Sequence, residues 1–227
     1  FERLMQEGPG AGKPPARRAS PWPPRGTQPD RVLAITSNGV GVGHLSRQLA
    51  IAGAQPLGVQ TVFFSLSKAV RFAADMGFPA EYRAYHAQLS ADPERWNAWF
   101  RDELSDAIGF YRPDAVVFDG NMPYQGMLDA LARFDEVTRS WVRRGLWRNE
   151  DEVAAARATG FDQILEPRDI AGARAPGFER RDGVSQQVPP ILSVPVANCL
   201  SRATARRLLG LPTEAEVALV QLGAGSN

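Results

Sequence analysis

Short apolar runs and stretches of helical period alternate along most of this chain. Residues 32–36 form a continuous apolar run that ends in Ser37-Asn38-Gly39, the pattern of a buried strand in a parallel sheet. Leu45, Leu49 and Ala52 then recur at helical spacing until Gly53 and Pro56 stop the period. The same alternation predicts strands over 59–65, 80–85, 115–118, 137–142, 164–165 and 191–194. It predicts helices over 68–76, 93–111 and 125–133, and one running to Ala158 behind the capping pair Asn149 and Glu152. Strands interleaved with helices imply an α/β fold. Its sheet is mainly parallel and Rossmann-like, with helices on both faces.

The pattern breaks down at both ends. Residues 1–30 hold seven prolines and four glycines with almost no apolar periodicity, so they are expected to be a disordered linker. Gly10-Ala11-Gly12-Lys13 has the look of a phosphate loop, but Glu7 and Pro14 stand where that motif needs glycine and a hydroxyl residue. Towards the other end, residues 203–209 read as a short helix broken by Gly210 and Pro212. Residues 217–222 then form a fresh apolar run feeding Gly223-Ala224-Gly225, the way a nucleotide-type α/β domain opens. The expected organisation is a linker (1–30), one α/β domain (31–200), a linker helix (201–216) and the first strand and turn of a truncated second domain (217–227). On this reading the chain is a fragment of something longer.

Composition narrows the chemistry. The 227 residues carry 26 basic and 25 acidic side chains, a net charge of +1, which leaves no electrostatic footprint for nucleic acid. A single cysteine, Cys199, excludes an intrachain disulfide and a cysteine-cluster metal site, and suits a reducing, cytoplasmic setting. No run is long and apolar enough to span a membrane. No bound metal or cofactor is expected, because no cluster of histidine and cysteine ligands stands in the sequence.

The segment from Ser37 to Ser46 holds the densest candidate chemistry. Gly39, Gly41 and Gly43 let backbone N–H groups approach a ligand, and the helix start behind them favours negative charge. Asn38, Gly39, Gly41 and Gly43 are therefore candidate phosphate contacts, or else they only permit a tight strand-to-helix turn. A nicotinamide dinucleotide fits poorly. The glycine spacing departs from G-x-G-x-x-G, and the second strand ends in Phe63-Phe64-Ser65 without an acid to hold a ribose. His44 follows the loop and is a candidate general base, or a packing residue of the helix start. Asp119 closes the 115–118 strand, where carboxyl ends face the ligand crevice, and could orient or charge-balance His44; it could equally cap the next helix. Arg143 and Arg144 lie between Trp141 and Trp147. They could bind phosphate, or lay their stems over the apolar rings.

Taken together, these residues resemble a GT-B glycosyltransferase, in the family that includes the lipid-linked N-acetylglucosaminyl transferase of peptidoglycan synthesis. The resemblance rests on the opening strand with Gly39-x-Gly41-x-Gly43-His44, on Val117-Phe118-Asp119, and on Leu208-Leu209-Gly210-Leu211-Pro212 leading into residues 217–225. It implies two facing Rossmann-like domains, with this chain supplying the acceptor-side one. Gly223 and Gly225 would then begin the donor-side loop. It further implies a nucleotide-sugar donor as substrate and a sugar or lipid-linked acceptor, with His44 and Asp119 catalytic. Asn38, Gly39, Gly41, Gly43, Arg143 and Arg144 would meet acceptor or phosphate. Such a protein would work in the cytoplasm, with peripheral contact at the inner membrane face. A GT-B-fold sugar-nucleotide epimerase and a non-catalytic sugar- or phosphate-binding module are the alternatives.

Overall fold

The computed structural model describes residues 20–25, 30–37, 42–143, 152–168, 185–194 and 196–220. Its strands are β1 (Arg31–Thr36), β2 (Gln60–Ser65), β3 (Ala80–Tyr82), β4 (Ala115–Asp119), β5 (Thr138–Val142), β6 (Gln163–Pro167) and β7 (Ser185–Val188). All pair in parallel in one sheet of order β3-β2-β1-β4-β5-β6-β7. The helices are α1 (Gly43–Gly53), α2 (Arg71–Asp75), α3 (Pro93–Tyr111), α4 (Gln125–Leu131), α5 (Glu152–Ala158) and α6 (Arg202–Leu208). The chain winds outward from β1 to β3, then returns to the other side of β1 as β4. At such a reversal the connections leave in opposite directions, and α/β sheets of this kind take their ligands outside the carboxyl ends of the two strands, here β1 and β4.

Each face of the sheet has its own core. Leu33 and Ile35 of β1 and Val62 and Phe64 of β2 pack with Trp96, Phe100 and Leu104 of α3 and Met127 of α4. Ala34 and Phe63 point the other way, against Leu45, Leu49 and Ala52 of α1 and Ala73 of α2. Successive strand residues alternate between faces, so a strand covered on both sides must be apolar throughout. That is why β1 reads as an unbroken run. The long helix α3 also has legible ends. Asp92 accepts hydrogen bonds from the backbone N–H groups of Glu94 and Arg95 at 3.1 and 3.0 Å, with Pro93 in the first turn. At the other end Arg112 turns left-handed (φ 49°), and Pro113 cannot extend the helix.

Three sequence-based expectations are corrected. Residues 20–25 belong to the fold and are not free linker. The Ser20 hydroxyl bonds the Phe110 carbonyl, and the Trp22 ring meets Tyr111 edge-on at 5.7 Å. Arg25 pairs with Glu136 and donates to the Pro113 carbonyl at 2.8 Å. Prolines that cannot form a core can still present one tryptophan to it. Residues 1–19 and 26–29 lie outside the described residues. Second, the last strand is Ser185–Val188, not 191–194, where Leu192 and Val194 are exposed. As an edge strand, β7 needs no continuous apolar run. Third, residues 217–220 form no strand, and Leu219 and Val220 are exposed. No described strand stands beside that run to pair with it. Gly223 and Gly225 lie outside the described residues.

The docked segment carries a prediction. Trp22→Ala removes the contact with Tyr111 and uncovers the Arg31 guanidinium, which lies 5.9 Å from the Trp22 ring centroid. Urea unfolding should show a loss of about 2 kcal/mol, the lower end for a large ring that is only half buried. An unchanged midpoint would mean that the segment rests on the surface without adding stability.

Candidate active site at the crevice of β1 and β4

The strand that ends in Asp119 is fixed on both sides. Parallel pairing sets Thr36 of β1 opposite Asp119 of β4, and the Ser37 N–H continues the ladder to the Asp119 carbonyl at 3.0 Å. On the other flank the Trp141 indole donates to the Gly120 carbonyl at 2.9 Å. A Cβ on Gly120 would strike the Phe118 ring and lie 2.9 Å from the Ser37 Cβ, so only glycine fits this turn. Asp119 is thereby presented at the crevice with little freedom.

Helix α1 brings two side chains to that carboxylate. Leu45, Gln48, Leu49 and Ala52 face the sheet, and His44 and Arg47 leave the same helix one turn apart. The His44 Nδ1 lies 2.7 Å from the Asp119 Oδ1. Arg47 donates through Nε to Oδ2 at 2.7 Å and through Nη2 to Oδ1 at 2.6 Å. The Asp119 side chain is 0% exposed, against 18% for His44 and 21% for Arg47. A fully buried carboxylate is costly unless paired, and here it has a guanidinium fork and an imidazole. With Nδ1 donating to Asp119, the imidazole has Nε2 as its acceptor atom. Gln48 locks the helix to the strand by donating to the Val117 carbonyl at 3.0 Å.

Aromatic rings line the α3 side of the same edge. Tyr85, three residues beyond β3, reaches Tyr124, five beyond β4, with centroids 5.7 Å apart. Since β2 and β1 stand between those strands, the β3–α3 connection must cross the carboxyl edge to make that contact. His86 packs against Tyr85 with tilted rings 4.0 Å apart and edges Trp96 at 5.7 Å, so it is half-buried in this cluster. Burial pushes the Tyr85 hydroxyl above its ordinary range, keeping it protonated.

The remaining candidates are placed as follows. Gly43 is the first residue of α1, and no side chain caps that helix N-terminus. Asn38, Gly39, Gly41 and Arg144 lie outside the described residues. Arg143 is committed elsewhere. Its guanidinium is 1% exposed, donates through Nε to Glu166 at 2.9 Å and through Nη2 to Ser185 at 3.0 Å, and lies over the Trp141 ring at 5.0 Å. It covers an apolar ring and pairs with a buried acid. Arg47 is the site residue that sequence reasoning missed. Its signal was present in the spacing His44-x-x-Arg47 on a helix aimed at the end of β4. Among the described residues no group of three or more His, Cys, Asp or Glu side chains could hold a metal ion. No helix among them is long and apolar enough to cross a membrane.

No protein-family model and no curated protein sequence matches the chain. Solved structures do. A glycosyltransferase from Rickettsia africae superposes with a TM-score of 0.58 at 9% identity, over 82% of this chain and 50% of that one. The shared fold is the Rossmann-like, all-parallel α/β sheet of GT-B structures. MurG of Acinetobacter baumannii is similar at a TM-score of 0.47 and 16% identity, covering 63% of this chain and 42% of that one. So is the UDP-GlcNAc 2-epimerase of Neisseria meningitidis, solved with UDP-GlcNAc bound, at 0.44 and 10%, covering 60% and 39%. The chain thus spans half or less of each of these structures. At these identities the likeness is one of fold alone, and the chemistry has to be argued from the site.

Proposed function

We propose that this chain is the acceptor-activating half of a glycosyltransferase that uses a nucleotide-sugar donor. The observation that supports the reading is the 2.7 Å contact between His44 and the fully buried Asp119 at the sheet's carboxyl edge. In the reaction His44 Nε2 takes the proton of an acceptor hydroxyl, breaking O–H and forming N–H. The acceptor oxygen bonds to the anomeric carbon, and the bond from that carbon to the diphosphate breaks, its electron pair leaving on the diphosphate. General-base assistance of this kind is worth about 10²- to 10⁴-fold. His44 is the catalytic residue and Asp119 a positioning residue. The Asn38–Gly43 loop keeps its sequence-based assignment to phosphate, and Gly223 and Gly225 theirs to the donor side. A sugar or lipid-linked alcohol is the acceptor, and lipid linkage would bring the protein to a membrane surface.

The test incubates the protein that carries this chain with UDP- and GDP-sugars, with and without sugar and lipid-linked acceptors, and measures nucleoside diphosphate release. Release that requires an acceptor is the expected result. Altered sugar or free nucleotide without any acceptor would replace this reading with an epimerase. Saturable binding with no turnover would replace it with a binding module. A second expectation concerns the 227-residue chain by itself. If the donor sits mainly on a facing domain, calorimetric titration with the same sugars should give weak binding or none. Tight, stoichiometric binding of any of them would overturn that division of labour.

A further inference from the structure

We propose that Arg47 is the positioning residue that holds the Asp119 carboxylate so that His44 keeps its proton on Nδ1 and its lone pair on Nε2 toward the crevice. The inference rests on the reading of His44 as the base. Its starting point is the geometry of the carboxylate. Arg47 engages both oxygens at once, Nε on Oδ2 and Nη2 on Oδ1, while His44 Nδ1 shares Oδ1. A two-pronged guanidinium contact fixes the plane of a carboxylate as well as its position. Without it, the terminal torsion of an aspartate is broad, and Oδ1 is no longer held opposite Nδ1.

Charge leads to the same place. Asp119 is fully buried, and a buried carboxylate needs a cation. Arg47 supplies that cation, with Nε and Nη2 each on a carboxylate oxygen. The two roles separate in Arg47→Lys, which keeps a charge near Asp119 but replaces the planar fork with a point donor. A residue that merely ties α1 to β4 would have no influence on which imidazole nitrogen carries the proton.

The tautomer can be read directly. His44 and His86 are the two histidines of the chain, so ¹⁵N-histidine labelling gives two imidazoles, and His86→Ala assigns them. In the wild-type chain, above the titration of the ring, the His44 shifts should report protonated Nδ1 and bare Nε2. Arg47→Lys and Arg47→Gln should lower the Nδ1–H to Nε2–H ratio about tenfold, the worth of a weakened hydrogen bond to a charged group. Amide spectra establish that each variant is folded. Should Arg47→Gln unfold, Arg47→Lys carries the comparison. A wild-type tautomer ratio in folded Arg47→Lys and Arg47→Gln overturns the proposal, as does a wild-type His44 protonated mainly on Nε2. The readout needs no substrate. Full activity of His44→Ala would therefore sink the base assignment while leaving the tautomer result standing, and the two failures are distinguishable.

Discussion

His44→Ala in the protein that carries this chain should lower kcat by about 10²- to 10⁴-fold while leaving donor affinity nearly unchanged. The split follows from position. His44 sits at the first turn of α1, 2.7 Å from Asp119, at the mouth of the crevice of β1 and β4. A group there can meet an acceptor hydroxyl, whereas the donor is expected on the facing half. Asp119→Asn should act in the same direction, because an amide can present its NH₂ to Nδ1 and reverse the tautomer. The double variant should be scarcely worse than the poorer single one, since residues working as one unit are non-additive. Steady-state kinetics with an acceptor at saturation, together with a binding curve for the donor, makes the comparison. Additive losses would mean that the two residues act separately. A rise in donor dissociation constant to match the fall in kcat would place His44 against the donor.

Much of this site was legible in the sequence because its parts obey local rules. The strand β1 and the helix α1 lie close together in the sequence, and apolar periodicity marks each of them. Asp119 could be put at the same edge because parallel strands share a direction, so the ends of β1 and β4 must meet if they are neighbours. The structure makes them neighbours and brings His44 and Asp119 into contact. What escaped is non-local. Arg47 takes its role from a partner on β4 that is 72 positions away in the sequence. Trp22 lay in a stretch whose composition spoke only of disorder, yet among residues 20–25 its ring meets Tyr111 of the domain. β7 was hidden because an edge strand such as Ser185–Val188 leaves its middle residues in solvent. The apolar run at 217–220 failed for the opposite reason. Its side chains called for a strand, but a strand is a relation between segments, and no described neighbour supplies the other half.

Arg143→Met should unfold in urea about 3–5 kcal/mol more easily than the wild type, the usual consequence of removing one partner of a buried ion pair. Arg143 follows the end of β5, and its backbone N–H bonds the Leu165 carbonyl of β6 at 2.8 Å. From there the guanidinium reaches Glu166, whose side chain is 7% exposed, and the Ser185 hydroxyl of β7. One side chain therefore ties three adjacent strands together, from the carboxyl end of β5 through Glu166 of β6 to the first residue of β7. Methionine would still cover the Trp141 ring, so lost packing contributes little and the deficit falls on Glu166, which loses its pair with Arg143. Adding Glu166→Leu should then recover most of the loss, because replacing both members of a buried pair by apolar groups is far cheaper than stranding one. This cycle separates two roles for the same arginine. A phosphate-binding Arg143 would leave stability within about 1 kcal/mol of wild type and lower ligand affinity, as surface-facing substitutions do. A strand-tying Arg143 gives the large loss and the rescue, and its removal should reach His44 only through the sheet: the His44 tautomer in folded Arg143→Met/Glu166→Leu should match that of the wild type.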